Sequence, residues 1–209
     1  MSIAYYFMEG TKLNKHRPFN IYDGHTYFLT GKCYKGIDYF CDDDRKEMFR
    51  KVLKESIERF DIKLFSWVVL NNHYHLIFSI SNEKGVTSES LSRNEQDRLS
   101  PVTPKDSCLV RFVTNLHSIT GKFLNEIDQT PGRKIWYQYW DYCLRNKADF
   151  WKHFNYIIKN PFKHSLVTSL EKSFQYKYSS NSEWLKRFGV DGLNESFIKY
   201  PVGEVFLGD

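Results

Sequence analysis

The order of predicted elements, β-α-β-β-α-β-α, places this 209-residue chain in the α+β class, as a sandwich with helices on one face of a largely antiparallel sheet. Three observations carry that expectation. Apolar residues recur at helical spacing over three long stretches. Short runs rich in aromatic and β-branched residues fall between those stretches. Two such runs are joined directly by an Asn-Asn turn, which requires the strands to run antiparallel. A hydrophobic content of 41% suits one sizeable core at this length, so one compact unit with decorations is expected, and no internal repeat argues otherwise.

The first strand runs from Thr26 to Tyr34. Aspartates at 42–44 then supply a helix N-cap, and Met48, Phe49, Val52, Leu53, Ile57 and Phe60 follow at helical spacing. Lys63 to Leu70 reads as a short buried strand, Asn71-Asn72 as a turn, and His73 to Ile80 as the returning strand. Residues 81–107 hold six serines, two prolines and only four aliphatic side chains, and are expected to form a polar surface insertion. Helical spacing resumes with Leu109, Phe112, Val113, Leu116, Ile119, Phe123 and Ile127, and Pro131-Gly132 is expected to close that helix. A strand over about 136–145 precedes a last helix from about Lys147 to Asn160, which Pro161 should stop. The domain is expected to span 15–180, with 181–209 a C-terminal extension that has no readable role.

No apolar run approaches the roughly 20 residues that span a bilayer, so no membrane partner is expected. The N-terminal sequence MSIAYYFMEG lacks a basic start and an apolar block, which points to a cytoplasmic location. Cys33, Cys41, Cys108 and Cys143 lie far apart with no CxxC pair. Neither a zinc ribbon nor a disulfide framework fits them, and reduced core residues are expected. The formal charge of +5 is concentrated between Arg145 and Arg187, where nine Lys/Arg face three acids. Aromatics such as Phe150, Trp151, Tyr156, Tyr176 and Trp184 interleave with that stretch. The mixture suits phosphate neutralisation and base stacking, and equally a solvated face over an aromatic core.

Two features could carry chemistry. In His73-Tyr74-His75 the histidines are two apart on a strand, so both imidazoles project from one face and can serve one metal ion. Spacing alone also fits an ordinary pair. In the last helix a wheel at 100° per residue groups Phe150, Trp151, Phe154, Ile157, Ile158 and Pro161 in one apolar sector. Tyr156 falls opposite, sharing a polar face with Asp149, Lys152, His153, Asn160 and Lys163. Packing on that sector does not explain it, although a half-exposed tyrosine with a solvated hydroxyl would occupy the same position.

The run Leu70-Asn71-Asn72-His73-Tyr74-His75-Leu76-Ile77-Phe78, followed about 80 residues later by Tyr156-Ile157-Ile158-Lys159-Asn160-Pro161-Phe162-Lys163-His164-Ser165-Leu166-Val167, resembles the single-tyrosine HUH transposases, and most closely their REP-associated branch. Trp140 to Asn146 and Tyr178-Ser179-Ser180 match as well, so the likeness spans roughly His16 to Ser180. Asn71 stands where the family usually has proline, and Ser165 where it usually has glycine. The resemblance implies a ferredoxin-like HUH sandwich. It implies Tyr156 as nucleophile, His73, His75 and Asn160 as ligands of a divalent ion (Mg2+ or Mn2+), and hairpin-forming single-stranded DNA as the partner. By the same resemblance the enzyme, a monomer or a homodimer, cuts and rejoins strands through a 5′-phosphotyrosine. Arg145, Lys152, Lys159 and Lys163 are candidates for phosphate contacts. His153 and His164 are expected in solvated or DNA-contacting roles rather than as acid or base. A non-catalytic single-strand DNA or RNA binder, and a hydrolase that activates water on the histidine pair, are the competing readings.

Overall fold

The computed structural model describes residues 26–80 and 107–203; residues 15–25 of the expected domain and most of the expected insertion lie outside them. Strand β1 (Thr26–Cys33) leads through a 3-10 turn to helix α1 (Asp43–Arg59), followed by β2 (Ile62–Val69) and β3 (His73–Ile80). Then come α2 (Cys108–Ile127), β4 (Trp136–Cys143) and α3 (Lys147–Lys163), and finally a single-turn α4 (Leu170–Ser173) and α5 (Asn181–Lys199). The four strands form one antiparallel sheet in the order β2-β3-β1-β4. This is the split βαβ arrangement: the α1 crossover leaves a gap between β1 and β2 that β3 fills, and the α2 crossover carries the chain past β1 to β4.

The helices cover both faces of the sheet, where one was expected. On the first face α1 and α2 pack Phe49, Val52, Phe112 and Leu116 against Tyr27, Leu29, Tyr74, Leu76 and Phe78. On the second, α3 and α5 pack Phe154, Ile157 and Trp184 against Phe28, Val68 and Ile77. The alternation in β1 and β3 sends odd and even residues to opposite cores. Uninterrupted apolar runs such as Leu76-Ile77-Phe78 are what a strand buried on both sides needs.

Local chemistry explains the element ends. Asp42 caps α1 by accepting from the Arg45 backbone N–H, and Ser107 caps α2 through Val110 N. Helix α2 stops at Ile127, before Pro131-Gly132: Asp128 caps it and is gripped by Arg45 and Arg133. Its buried stripe drifts to Thr120 and Leu124, leaving Phe123 and Ile127 about half exposed. Helix α3 runs through Pro161 to Lys163 instead of ending before it. The proline ring sits in the last turn, where few hydrogen bonds remain to lose. Beyond it Ser165 N–H donates to Phe162 O and Leu166 N–H to Pro161 O, with Ser165 at φ +56°. These two bonds and the left-handed residue make a Schellman closure, a position that favours glycine.

Residues 181–199 pack as part of the same body. Asn155, fully buried on α3, donates to the carbonyls of Ser196 and Tyr200 and accepts from Ser196 Oγ. At the other end Asn181 Nδ2 and Ser173 Oγ both donate to Ile158 O. Trp184 stacks on Phe188 and meets Phe154 edge-on at 5.1 Å. Tyr178-Ser179-Ser180 pairs with the outer edge of β2, with Val69 N–H donating to Tyr178 O and Ser180 N–H to Trp67 O. An edge strand that would otherwise present open backbone groups is thereby closed. Cys33 is buried, with its thiol pushed up to about 12 by burial, while Cys41 is exposed rather than in the core. Among the described residues no helix is long and apolar enough to cross a membrane.

Candidate active site

The β2–β3 turn is held rigidly, and it positions the first histidine. Asn72 Nδ2 donates to Asp38 Oδ1 at 2.7 Å and to Gly36 O at 3.1 Å, while Phe40 N–H donates to Asn71 O. The amide of Asn72 is thereby oriented, and its Oδ1 lies 2.7 Å from His73 Nδ1. That oxygen can only accept, so His73 Nδ1 carries the proton. Two residues on, His75 Nδ1 lies 2.8 Å from Thr30 Oγ1, directly across the β1–β3 ladder. Both histidines are buried, and their ring centroids are 5.0 Å apart on the sheet face that α3 covers. With Nδ1 of each ring engaged by a protein oxygen, Nε2 is the nitrogen able to face an ion, the usual division of labour in a ligating histidine.

Helix α3 brings the second half. The helix is buried on both sides, with Phe150 against Phe65 of β2 and Phe154 against Trp184 of α5, and Tyr156, which the wheel sets off the apolar sector, also meets the sheet. Tyr156 is therefore 5% exposed rather than half exposed. Its ring lies edge-on to His75 at 5.1 Å and to Phe28 at 6.2 Å. Lys163 Nζ donates to Tyr156 Oη at 3.2 Å, tying the phenol oxygen to a side chain that reaches solvent. Asn160, one turn beyond Tyr156, is fully buried. Its Nδ2 reaches only Tyr156 O at 3.4 Å, and its Oδ1 accepts no hydrogen bond among the described residues. An unmet buried acceptor costs about 1–3 kcal/mol, a cost a bound cation would offset.

Phe28 is the hub of the site, in contact with His75 at 5.3 Å, His153 at 4.8 Å and Tyr156. His153 is buried, not solvated as expected. Burial pushes its pKa down, and its Nδ1–H donates to Asp149 O. Tyr142, stacked on His153, is pushed up to about 12 by burial and by the Asp149 carboxylate, so it is a poor rival nucleophile. His164 is exposed, with its ring 4.6 Å from that of His73. Of the four basic candidates, Lys163 stands at the phenol. Arg145 and Lys152 line a small surface groove at the start of α3, and Lys159 is half-buried on the same helix. Sequence reasoning missed Thr30 and Phe28, and saw Asn72 only as a turn residue.

The donor set converging here is two imidazoles and one amide oxygen. Among the described residues no group of three or more His, Cys, Asp or Glu side chains could hold a metal ion, so a third protein ligand beside the two histidines would come from another residue type. The orphaned Asn160 Oδ1 fits that part, and an oxygen donor suits a hard divalent cation.

No protein-family model and no curated protein matches the chain. Among solved structures, one of a REP-associated tyrosine transposase bound to a REP hairpin aligns over 94% of this chain and 98% of its own, at TM-score 0.58 and 18% identity. A protein of Deinococcus radiodurans described as a transposase aligns over 69% of this chain and 95% of its own, at TM-score 0.38 and 14% identity. The first match shows that this chain has the fold of the REP-associated transposase; the second is too loose to support an argument.

Proposed function

We propose that this chain is a transposase of the REP-associated tyrosine type, cutting and rejoining hairpin-bearing single-stranded DNA. The observation that carries the reading is the convergence, from segments some 80 residues apart, of Tyr156 with His75 and of a buried, unsatisfied Asn160 amide one turn away. Among the described residues the Nε2 atoms of both histidines and Asn160 Oδ1 are buried with no hydrogen-bond partner, the unmet polar atoms a bound cation would engage. His73, His75 and Asn160 would hold the divalent ion, which when bound withdraws charge from the phosphate oxygens.

The remaining chemistry belongs to the chain itself. Positive charge beside a phenol oxygen favours its ionised form, and Lys163 supplies that charge at 3.2 Å. The phenolate attacks phosphorus, a Tyr156 Oη–P bond forms, and the bond from phosphorus to the departing 3′ oxygen breaks. That oxygen leaves as a 3′-hydroxyl after taking a proton. The phosphotyrosine retains the energy of the broken linkage, so a second 3′-hydroxyl can displace the tyrosine and reseal a strand without ATP. Phe28, itself backed by His153, meets the ring edge-on and holds its plane. Incubating wild type and Tyr156→Phe with a labelled hairpin oligonucleotide and Mn2+ tests the reading. Wild type should carry label through a denaturing gel, and both the variant and a chelator-treated sample should not. Undiminished cleavage by Tyr156→Phe would assign the chemistry to activated water instead.

A further inference from the structure

Strand β4 is an edge of the sheet, yet it carries exposed aromatics that an edge normally avoids: Tyr137 is 51% and Trp140 40% exposed. Their placement relative to the site follows from the register. Trp140 stands opposite Thr30, which stands opposite His75, so the three lie in one row on one face of the sheet. At about 4.8 Å per strand, the Trp140 backbone is roughly 10 Å from that of His75. Helix α3 lies mainly over β2 and β3 and reaches β4 at Tyr142, which stacks on His153, while Trp140 two residues earlier stays 40% exposed on this face.

A bulge shapes the rest of the strand. Gly31 pairs with Tyr139 and Cys33 with Trp136, so Tyr137 and Gln138 together oppose Lys32. Such a bulge re-aims side chains, and here it keeps Trp136 and Tyr139 in the α1–α2 core while Tyr137 stays outside. Tyr137 lies 6.3 Å from Tyr34, and the Lys134 ammonium sits 4.8 Å from the Tyr34 ring and 5.3 Å from the Tyr137 ring. Lys35 adds a second cation over Tyr34 at 5.5 Å. The nearest acid on the strand, Asp141, opposes Leu29 and so belongs to the other face. Aromatic faces interleaved with lysines are how proteins hold unpaired nucleotides without reading their sequence.

We propose that this edge, through Trp140, Tyr137 and Tyr34 with Lys134 and Lys35, is a stacking surface for unpaired bases of the DNA strand whose phosphate reaches Tyr156. It rests on the transposase reading and adds the path of the strand: away from the histidines, across β1, and out over β4. The test uses the full chain and a labelled hairpin, either blunt or extended by about ten unpaired thymidines on its 5′ or 3′ side, with a chelator present so that only binding is read. Trp140→Ala should weaken binding of one extended hairpin by about 5- to 100-fold and leave the blunt hairpin within about twofold. Trp140→Phe should restore most of the loss. Lys134→Glu, at an exposed side chain with no packing role, should weaken the same extended hairpin alone. Equal losses on blunt and extended hairpins, or no loss on either extension, would overturn the proposal and leave β4 as an edge for a protein partner. Adduct formation at Tyr156 is scored separately. Discrimination between hairpins without an adduct removes the transposase reading alone, and an adduct without discrimination removes the stacking surface alone.

Discussion

Gly31→Ala should be among the most damaging single changes in the protein, although it adds one methyl group. Gly31 faces Tyr74 across the β1–β3 ladder, and a β-carbon there would lie 2.5 Å from Cζ and 2.7 Å from Oη of that ring. The ring has nowhere to go. It is fully buried, held at 4.9 Å from Phe49 and 5.4 Å from Trp136, and its hydroxyl is hydrogen-bonded to His117 Nε2 at 2.8 Å. Overpacking of a tight core costs about 1–3 kcal/mol. Displacing a buried hydroxyl from its acceptor costs about 1–3 kcal/mol more. A total of about 2–6 kcal/mol is therefore expected, read as a shift in the denaturant midpoint at unchanged slope. The decisive measurement is a double-mutant cycle with Tyr74→Leu, which removes the obstructing ring. The two substitutions should be far from additive, with Gly31→Ala costing under about 1 kcal/mol in the Tyr74→Leu background. Additivity would refute the steric explanation. Because Thr30, the partner of His75, is the neighbouring residue, the same strain should also reduce strand cleavage beyond what lost stability accounts for.

The other expectations are smaller. Ser165→Gly should stabilise the fold by about 0.5–1 kcal/mol, visible as a rise in Tm, because Ser165 closes α3 with a left-handed backbone that glycine adopts without strain. An unchanged or lower Tm would mean that the serine side chain offsets the backbone cost. Burial pushes His117, stacked on Trp136 and hydrogen-bonded to Tyr74, down to about 3. A base protonated more readily when unfolded makes stability full above about pH 6.5 and erodes it as pH falls toward 3, by at most about 1.4 kcal/mol per pH unit. His117→Gln should flatten that slope in unfolding curves taken between pH 7 and 4.5, and parallel slopes for the two proteins would rule His117 out as its source.

Much of the site was readable from residue types in order. Histidines two apart on a strand must share a face, and Tyr156 and Asn160, four apart on a helix, must be neighbours, whatever surrounds them. The orientation of that helix was not readable. A wheel separates an apolar stripe from a polar one, and the apolar stripe of α3 was assigned to the core by default. The stripe is in fact capped by α5, from a segment whose weak pattern, broken by Gly189 at φ +69°, gives little helical signal. His153 and Tyr156, outside that stripe, meet the sheet as well, while Lys152 and Lys163 stay exposed. The same ambiguity hid the burial of His153.

The sequence alone determined the order of elements, the hairpin that presents His73 and His75, and the spacing that pairs Tyr156 with Asn160, because each depends on chemistry within a few residues along the chain. Only the tertiary structure decided that Tyr156 of α3 lies against Phe28 and His75 and that Thr30 and Asn72 hold the imidazoles. Those contacts join residues up to some 130 positions apart, and they exist only because burying both faces of one sheet forces distant side chains into the same few ångströms.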